Sequence, residues 1–574
     1  MASGAALGSQ SEGWPAVTHG VVPASTPCLG NSMDQVRLFL IVALGLVLLL
    51  IWQAWQKDYG PLRLQSSVQS SRTDTAAASV STAQHQMETE DKKTATTPPV
   101  SGQKIHVQTD TLDLVIDTAG GNIVHASLRD YPISLEQPRD PFVLLDDSEQ
   151  LFYVAQSGLL STSDAPDHHA LFTSERDDYE LTAGAETLEV PMSWHSASGV
   201  EVVKIFRFTR RSHLVTVEYK IRNRSGQPWT GELYAQLQRA AGKEARSVVN
   251  TYTGAALSSP ERRYEKLPFR DFADKPISRN IQNGWAAILQ HYFIAALIPN
   301  VGEAYHYHTK ALDNQHYVIG AVGPEHTVPA GGEGTVSIRF YLGPKTQDTL
   351  ERIAPGLDLT VDYGALWFIA KPLFWFLKRF HALTGNWGWA IIILTVLVKG
   401  LFYPLSAASY RSMAKMRAVQ PRILALRERY ADDKTRLNQA MMDLYKEKKI
   451  NPLGGCLPVL IQIPVFLSLY WVLLESVELR QAPFVLWIHD MSAADPYFVL
   501  PLFMGATMFF QQRLNPPAMD PTQQRVMQLM PVVFTMFFAF FPSGLVLYWC
   551  VNNLLSILQQ AVITRSMERG KTAT

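Results

Sequence analysis

One lysine lies inside a run of residues that is otherwise apolar enough to cross a bilayer. Lys399 falls between Trp387 and Leu405, and a helix over this run would span roughly 28 Å, close to the ~30 Å of a hydrocarbon core. An ammonium at that depth costs about 2.5–3.5 kcal/mol, so we expect it to face protein or water rather than lipid. For this segment alone, a lysine that snorkels toward the near end of its helix is the alternative.

Neighbouring apolar runs carry uncharged polar side chains that are able to act together with this cation. Thr395 precedes Lys399 by four residues, on the same face of a helix. The others are three amides and one hydroxyl: Gln462, Asn552, Asn553 and Ser556. Taken singly, each is explained by hydrogen bonds between helices. Taken together with the cation, they predict a hydrated groove, open to the cytoplasm, that attracts an acidic segment of another protein and eases its insertion.

Composition and motifs exclude several classes of protein. The 574 residues have a formal net charge of zero, without the overall basic excess of a nucleic-acid binder. The three cysteines match no metal or redox spacing, and we find no nucleotide-binding, zinc-protease or serine-hydrolase motif. His306, His308 and the Asp167-His168-His169 cluster lack further ligands, so we interpret them as surface or loop residues. We expect no enzymatic activity, no cofactor and no metal.

The membrane topology follows from apolar runs and from the basic residues between them. Residues 36–56 are predicted to be an uncleaved signal anchor because no small-residue cleavage site follows; a cleaved signal peptide is the alternative. Five further spans are predicted at about 386–405, 453–474, 495–511, 525–541 and 544–563. The segment 406–450 carries eleven basic and five acidic residues and is therefore predicted to be cytoplasmic. Six spans with both termini in the cytoplasm satisfy every short loop.

The segments outside these spans have different patterns. Residues 1–32 are predicted to be a disordered extension, and residues 57–102 a flexible linker. Residues 103–362 read as strand after strand of period two, which predicts an all-β sandwich on the outer side of the membrane. The short, aromatic-rich segment 363–382 is predicted to be an amphipathic helix on the outer membrane surface.

The cytoplasmic segment 406–450 contains two apolar stripes of helical period. They are separated by a turn in which Asp433 is a plausible N-cap, so we predict an antiparallel helical hairpin. Its candidate contact residues, for variable partners or for anionic lipid, are Met413, Met416, Arg417, Arg422 and Met441. Packing between the two helices is the alternative for the methionines. The predicted fold class is a multi-domain membrane protein: a six-helix all-α bundle with a five-helix core over 383–563, an all-β sandwich, a helical hairpin and a cytoplasmic tail, 564–574.

At these residues the sequence resembles the YidC/Oxa family of membrane protein insertases, in the Gram-negative form with a large periplasmic domain. The likeness is dense from Thr360 to Ile563 and weak across the β domain. It is carried by the following stretches: Ile51-Trp52-Gln53-Ala54-Trp55, Val361-Asp362-Tyr363-Gly364, Tyr403-Pro404-Leu405, Ser412-Met413-Ala414-Lys415-Met416, Asn451-Pro452-Leu453-Gly454-Gly455-Cys456, Val477-Glu478-Leu479-Arg480-Gln481-Ala482-Pro483, Leu486-Trp487-Ile488-His489-Asp490 and Phe541-Pro542-Ser543-Gly544-Leu545.

The resemblance implies a monomeric insertase and chaperone of the inner membrane. It would act alone or beside the Sec translocon, with nascent membrane proteins, ribosome–nascent chain complexes and membrane lipids as further partners. The β domain would resemble a sugar-mutarotase fold without its chemistry. Thr395 and Gln462 match groove positions of the family.

The resemblance also assigns roles to single residues. Lys399 stands where the family usually has arginine, which keeps the charge but loses the fork of donors. Tyr548 and Trp549 stand at a pair of tyrosines near the client, and Ile463 and Pro464 fall where the family contacts the client helix.

Two other functions remain open from the residues. The first is a transporter or channel for a small solute, with Lys399, Thr395 and Asn552 as its substrate site, although the five core spans show no inverted repeat. The second is a membrane-tethered carbohydrate enzyme in the β domain. Deleting residues 103–344 would abolish such an enzyme, whereas an insertase would keep much of its activity.

Overall fold

The computed structural model describes two parts of the chain, a β domain and a helical region. The described residues are 102–241, 251–312, 316–430, 433–448, 450, 457–515 and 521–572. All of them fall within one compact unit. The predicted extension 1–32, the predicted signal anchor 36–56 and all but the last residue of the predicted linker 57–102 lie outside the described residues.

The β domain consists of strands with few intervening helices. In chain order the strands are β1 Lys104–Gln108, β2 Leu112–Asp117, β3 Asn122–Pro132, β4 Pro141–Leu145, β5 Tyr153–Ser161, β6 Asp178–Glu180, β7 Thr187–His195, β8 Val200–Thr209, β9 Leu214–Asn223, β10 Trp229–Ala240, β11 Gly254–Ser258, β12 Glu265–Leu267, β13 Ser278–Gln282, β14 Trp285–Leu289, β15 Phe293–Ile298, β16 Ala304–Ala311, β17 His316–Val328 and β18 Glu333–Pro344.

These strands form two sheets with the core between them. The ten-stranded sheet has the order β13-β16-β17-β10-β5-β3-β2-β1-β6, with β4 on β3, and the eight-stranded sheet has the order β12-β11-β14-β15-β18-β9-β8-β7. The alternation predicted for β9 is confirmed: Val215, Val217, Tyr219 and Ile221 are buried in the core. The predicted all-β domain is therefore confirmed as two sheets.

Lys204 occupies an inward position of β8, in the centre of the sandwich. Its side chain is fully buried, and its ammonium donates hydrogen bonds to the carbonyl oxygens of Gly120 and Ser157 at 2.9 and 3.0 Å. Burial lowers the pKa of Lys204 well below its ordinary value. The ammonium also lies 5.3 Å from the ring centre of Phe206 and 5.2 Å from that of Tyr219. Carbonyl oxygens and aromatic faces thus replace the water that this amine has lost.

The helical region follows the sandwich. In chain order the helices of the described residues are α1 Asp271–Asp274, α2 Gln347–Ile353, α3 Trp367–Thr384, α4 Trp387–Leu401, α5 Tyr403–Arg429, α6 Lys434–Glu447, α7 Leu457–Glu475, α8 Val499–Leu514, α9 Pro521–Phe538 and α10 Ser543–Thr572. Helix α3 covers most of the predicted amphipathic segment 363–382 and exposes aromatic side chains, among them Trp367 and Trp375.

The predicted span 386–405 does not run as one helix. Helix α4 ends at Leu401, and α5 begins at Tyr403 with its axis bent by 67° from that of α4. Pro404 lies in the first turn of α5, where its missing backbone N–H is tolerated, and it cannot continue the hydrogen-bonding pattern of α4. Lys399 is therefore two residues from the end of α4 rather than deep inside a longer helix.

The other predicted spans differ from the helices at their ends. Helix α8 starts at Val499 instead of 495, because Asp495 caps the turn before it and accepts hydrogen bonds from the backbone of Tyr497 and Leu500. Helix α10 continues to Thr572, through most of the predicted tail 564–574. By length and hydropathy, the part of α10 from Ser543 to Ser566 is long enough to cross a membrane by itself, and the bent pair α4–α5 would count as a second span. The count of six spans stays a prediction.

Helices α5 and α6 pack against each other as the predicted hairpin requires. Their shared core consists of Val419, Ile423, Leu444, Tyr445 and Ile450. The carboxylate of Asp433 accepts hydrogen bonds from the backbone N–H groups of Thr435 and Arg436 at 3.1 and 2.9 Å, so the predicted N-cap is confirmed. On which side of the membrane this hairpin lies stays a prediction.

A continuous apolar seam and a set of polar contacts join the β domain to the helices. Trp285, Ile294 and Tyr341 of the eight-stranded sheet belong to the same buried cluster as residues of α3, α4 and α7. Glu475, the last residue of α7, forms an ion pair of 3.1 Å with Lys345 of the β domain, and both side chains are less than a tenth exposed. The β domain is thereby fixed to the end of one helix of the bundle.

Candidate functional site

Three helices bring the predicted groove residues together. Lys399 comes from α4, Gln462 from α7, and Asn552 and Ser556 from α10. Helix α4 is held at its start by Asn386, whose side chain accepts hydrogen bonds from the backbone N–H groups of Gly388 and Trp389. At 1.5 Å per residue, Lys399 lies roughly 18 Å along α4 from that end.

The Lys399 ammonium is the first member of a chain of hydrogen bonds. It donates to Ser556 Oγ at 2.7 Å and to Gln462 Oε1 at 3.4 Å. The Gln462 amide in turn donates to Tyr548 OH at 3.1 Å and to Asn552 Oδ1. The Ser556 hydroxyl donates to the Asn552 carbonyl at 2.7 Å. Every member of this network except the lysine is neutral.

The charge of Lys399 has no counter-ion among the described residues. Its two partners are an amide oxygen and a hydroxyl, and within the described ranges no carboxylate forms an ion pair with it. Only 7% of its surface is exposed. Neutral hydrogen-bond acceptors lower the cost of burying an ammonium, but they leave its positive potential uncancelled. The site can therefore attract a carboxylate from another molecule.

A small pocket opens beside Lys399 at the bend between α4 and α5. It is lined by Val398, Lys399, Phe402, Leu405, Ser406, Ile461 and Gln462. Its volume of ≈ 10 Å³ is enough for about one water molecule. This pocket therefore has room for a water molecule beside the ammonium but not for a side chain.

The network uses one face of α10, and its members follow the spacing of that face. Tyr548, Asn552 and Ser556 are four residues apart, so their side chains lie one above the other. From the sequence, Asn552 and Ser556 are predicted to line the groove, whereas Tyr548 is expected to contact the client. The structure buries Tyr548 and links it to Gln462. The spacing of four was the signal that could have grouped all three.

Two predicted groove residues are not part of this network. Thr395 is buried, but its hydroxyl donates to the carbonyl oxygen of Ile391 within its own helix, at 2.7 Å. Asn553 follows Asn552 directly, so its side chain leaves α10 in a different direction; it donates to Thr507 of α8 at 3.2 Å. Thr395 thus bonds within α4 and Asn553 joins α10 to α8, and neither of these hydrogen bonds involves the ammonium.

The residues predicted to contact a client helix lie in two environments. Ile463 is 46% exposed on α7, next to Gln462, and Pro464 is half-buried. Trp549 packs its ring at 4.7 Å from Phe466 and is not a free surface aromatic. Ile463 is therefore the member of this set that is best placed to meet another chain.

The predicted contact residues of the hairpin also differ in their environment: the methionines pack against other helices, and the arginines lie on the surface of α5. Met416 and Met441 pack against the α5–α6 core, and Met413 packs against a small cluster that includes Tyr410 and Ile563. Arg417 and Arg422 are both exposed on α5. Packing between helices, the alternative left open for the methionines, thus describes Met416 and Met441.

The far end of the bundle is closed by the α7–α8 loop, residues 476–498. The Ser543 hydroxyl, at the start of α10, contacts the carbonyl oxygens of Asp490 and Ala493, both at 2.8 Å. The backbone N–H of Gly544 donates to the Met491 carbonyl at 3.0 Å. The loop is therefore tied to the turn between α9 and α10. The bundle is asymmetric, with a covered end and, some 18 Å away along α4, a cation beside a small pocket.

Comparisons with known proteins match nearly the whole of this architecture. Residues 104–376 match the family described as YidC periplasmic domain, and residues 379–571 match the family described as 60Kd inner membrane protein. The chain is 49% identical over 562 residues to the membrane protein insertase YidC of Thioalkalivibrio sulfidiphilus, which covers 94% of this chain and 99% of that protein. It is 49% identical over 543 residues to that of Methylococcus capsulatus, with 94% and 99% covered.

The chain also matches solved structures, at low TM-scores. One is a crystal structure of an active YidC insertase, whose sequence is 20% identical to this one. The match covers 81% of this chain and 92% of the chain in that structure, with a TM-score of 0.35. A galactose mutarotase related enzyme from Lactobacillus acidophilus is 8% identical over 42% of this chain and 97% of its own, with a TM-score of 0.28. The expected mutarotase-like fold of the β domain stays a prediction.

The two family matches define this two-sheet β domain and helical bundle as an inner-membrane protein with a large periplasmic domain. The two family matches, together with the sequence identity over nearly the full length, also identify the family. The chain belongs to the YidC family of membrane protein insertases. Insertion is a non-enzymatic role, and the names of these relatives do not favour the solute transporter or the carbohydrate enzyme.

Proposed function

We propose that this insertase receives a client segment in a groove between α4, α7 and α10, with Lys399 as the charge that attracts it. The proposal is supported above all by one observation, a nearly buried ammonium whose partners within the described residues are all neutral. A carboxylate or a carbonyl-rich polar segment of a client would complete its coordination. Gln462, Asn552 and Ser556 would then exchange hydrogen bonds with the arriving polar groups.

The polar network and the apolar surface of α7 would act in sequence on one client. A short polar tail would enter beside Lys399, where the hydrogen-bonding groups shorten the distance it travels through hydrocarbon. The apolar helix behind that tail would then leave along Ile463 and Pro464 into the lipid. Burial of apolar surface at about 25 cal/mol per Å² supplies the driving force, so no nucleotide is needed. The pocket of ≈ 10 Å³ supports a groove that opens only when a client separates the helices.

We further propose an orientation for the chain. The α7–α8 loop and the β domain would lie in the periplasm, and the hairpin of α5 and α6 in the cytoplasm with both termini. The excess of basic residues over 406–450 supports this orientation. Arg422 and the neighbouring basic side chains would then meet ribosome–nascent chain complexes, the Sec translocon or anionic lipid. Insertion would proceed either without the Sec translocon or together with it.

Site-specific photo-crosslinking from Ile463 tests this proposal. A photoreactive amino acid at position 463 should capture a ribosome-bound nascent membrane protein while its helix is being inserted. Phe510 of α8 is the matched control, because it is also an exposed apolar residue, at 62%, on a different helix. Adducts to the client from position 463 but not from 510 are expected. Capture of lipid alone at both positions would contradict the proposed path.

A further inference from the structure

The α7–α8 loop has a fixed backbone although it lies outside the helices. The Asp490 carboxylate accepts hydrogen bonds from the backbone N–H groups of Gln481 and Ser492 at 3.1 and 2.8 Å. The Asp495 carboxylate accepts hydrogen bonds from the Trp487 indole at 3.0 Å and from the Leu500 N–H at 2.7 Å. Two buried or half-buried carboxylates thus hold the loop in one conformation, so the side chains it exposes are displayed in fixed positions.

The loop contains a tight turn over residues 484–488, which we call the tip. The backbone N–H of Phe484 donates to the Ile488 carbonyl at 2.9 Å, and that of Ile488 to the Val485 carbonyl at 3.2 Å. Leu486 stands at its centre with a φ of 57°. Glycine or asparagine adopts this left-handed conformation at lower cost than a leucine does. The leucine is also 77% exposed, so within this chain it gains little from packing.

The exposed leucine is available to a partner outside the chain, and the surroundings of the tip indicate the nature of that partner. The Asn386 side chain, which caps α4, donates to the carbonyl oxygen of Phe484 at 2.9 Å. The ring of Phe484 covers Gly388 in the first turn of α4 and lies 5.7 Å from the ring of Trp389, which is itself exposed. Exposed tryptophans at the ends of membrane helices mark the boundary between headgroups and hydrocarbon. The tip is therefore held at the level of that boundary.

A second turn of the same loop repeats this arrangement. Phe498 precedes the first residue of α8, has a φ of 57° and is exposed, and Tyr497 beside it is exposed as well. Asp495 fixes this turn through the Tyr497 N–H at 3.0 Å. The loop thus exposes two apolar residues in the left-handed conformation, Leu486 in the tip and Phe498 directly before α8.

We propose that the tip is a lipid anchor, in which Val485 and Leu486 insert into the headgroup–acyl boundary of the periplasmic leaflet. The anchor would hold the α7–α8 loop at a fixed depth and so keep the periplasmic end of the bundle covered while the other end opens. This inference depends on the proposed orientation of the chain but not on the path of the client. Its failure and the failure of the insertase mechanism are therefore distinguishable.

Photo-crosslinking in lipid vesicles of phosphatidylethanolamine and phosphatidylglycerol tests the anchor. A photoreactive residue at position 486 should form lipid adducts, measured by mass spectrometry, in roughly tenfold excess over one at Val301, the ratio that burial of one leucine implies. Val301 is the matched control because it is an apolar residue of the β domain with 82% exposure. Equal yields at the two positions, or protein adducts instead of lipid adducts at 486, would overturn the proposal.

A second variant separates the role of the leucine from the position of the loop. Leu486→Asn tolerates the left-handed backbone, so the loop is expected to keep its fold. With the photoreactive residue moved to Val485, this substitution should reduce the lipid adducts several-fold. Unchanged adducts would mean that Leu486 does not anchor the tip, and would overturn its assigned role.

Discussion

The ion pair between Lys345 and Glu475 gives the sharpest test of how the β domain is attached. Lys345 follows β18, Glu475 ends α7, and their charged atoms are 3.1 Å apart with 4% and 7% of the side chains exposed. The Lys345 ammonium also donates to the Thr360 carbonyl at 3.3 Å. Replacing the lysine by methionine keeps its approximate volume but leaves a buried carboxylate without its cation. Loss of one partner of a buried pair costs about 3–5 kcal/mol.

The expected effect of Lys345→Met is a loss of thermal stability on the order of 10 °C, at about 2–4 °C per kcal/mol for a large domain. Intrinsic fluorescence during heating of the detergent-solubilised protein measures this shift. Glu475→Gln in the same chain removes the unpaired charge and should restore a large part of it.

An exposed ion pair provides the matched control. Lys378 contacts Asp348 at 2.7 Å, but 28% and 65% of their side chains are exposed. Such a pair contributes about 1 kcal/mol or less, so Lys378→Met should change the Tm by no more than a few degrees. If Lys345→Met were as mild as Lys378→Met, the buried pair would not hold the two parts together.

Three further perturbations have defined outcomes. Burial lowers the pKa of His213 to about 4, and burial together with a nearby lysine lowers that of His291 to about 4. Between pH 6.5 and 4 the unfolded chain therefore binds more protons than the folded protein does. The free energy of unfolding that these histidines contribute is fully present above pH 6.5 and should fall by up to about 3 kcal/mol per histidine as the pH drops to 4. A Tm independent of pH would contradict this expectation. Gly388→Ala places a methyl group against the phenylalanine ring that covers it and should cost about 1–3 kcal/mol in thermal unfolding, whereas Gly400→Ala, with open space around it, should not destabilise α4. Lys399→Glu should impair the insertion of clients with acidic translocated tails more than Lys399→Arg, and equal insertion by both variants in vesicles would mean that the lysine only snorkels.

Much of the β domain was predictable because its signal is local. Alternation along β9 assigned Val217 and Tyr219 to the core, and the same alternation along β8 points Lys204 inward together with Val202 and Phe206. The inward position of Lys204 is not among the predictions from sequence, because a lysine is usually exposed. The order of the strands in the two sheets was not accessible, since it depends on pairs such as β9 with β18 that are distant in the chain.

In the candidate site, the residue types were predicted but their grouping was only partly so. The apolar residues continue past Phe402, so the predicted span extends to Leu405, although Pro404 indicates that the helix is interrupted there. Asn552 and Asn553 are both predicted to line the groove, yet adjacent residues on a helix point in different directions, and only the first reaches Gln462. The pairing of Lys345 with Glu475 had no sequence signal, because it joins two separate parts of the fold.

The hydration of the groove is the claim on which the proposed function depends, and thiol labelling from the inner side of the membrane measures it. In a chain whose native cysteines are replaced, Ser556→Cys places a thiol where the serine hydroxyl contacts the Lys399 ammonium, and Ser468→Cys places one at a fully buried position of α7. A charged, membrane-impermeant reagent reacts only with thiols that meet water. We predict modification of position 556, but not of 468, when the reagent is on the cytoplasmic side and a client is present. No modification of position 556 in any state would contradict a wet groove.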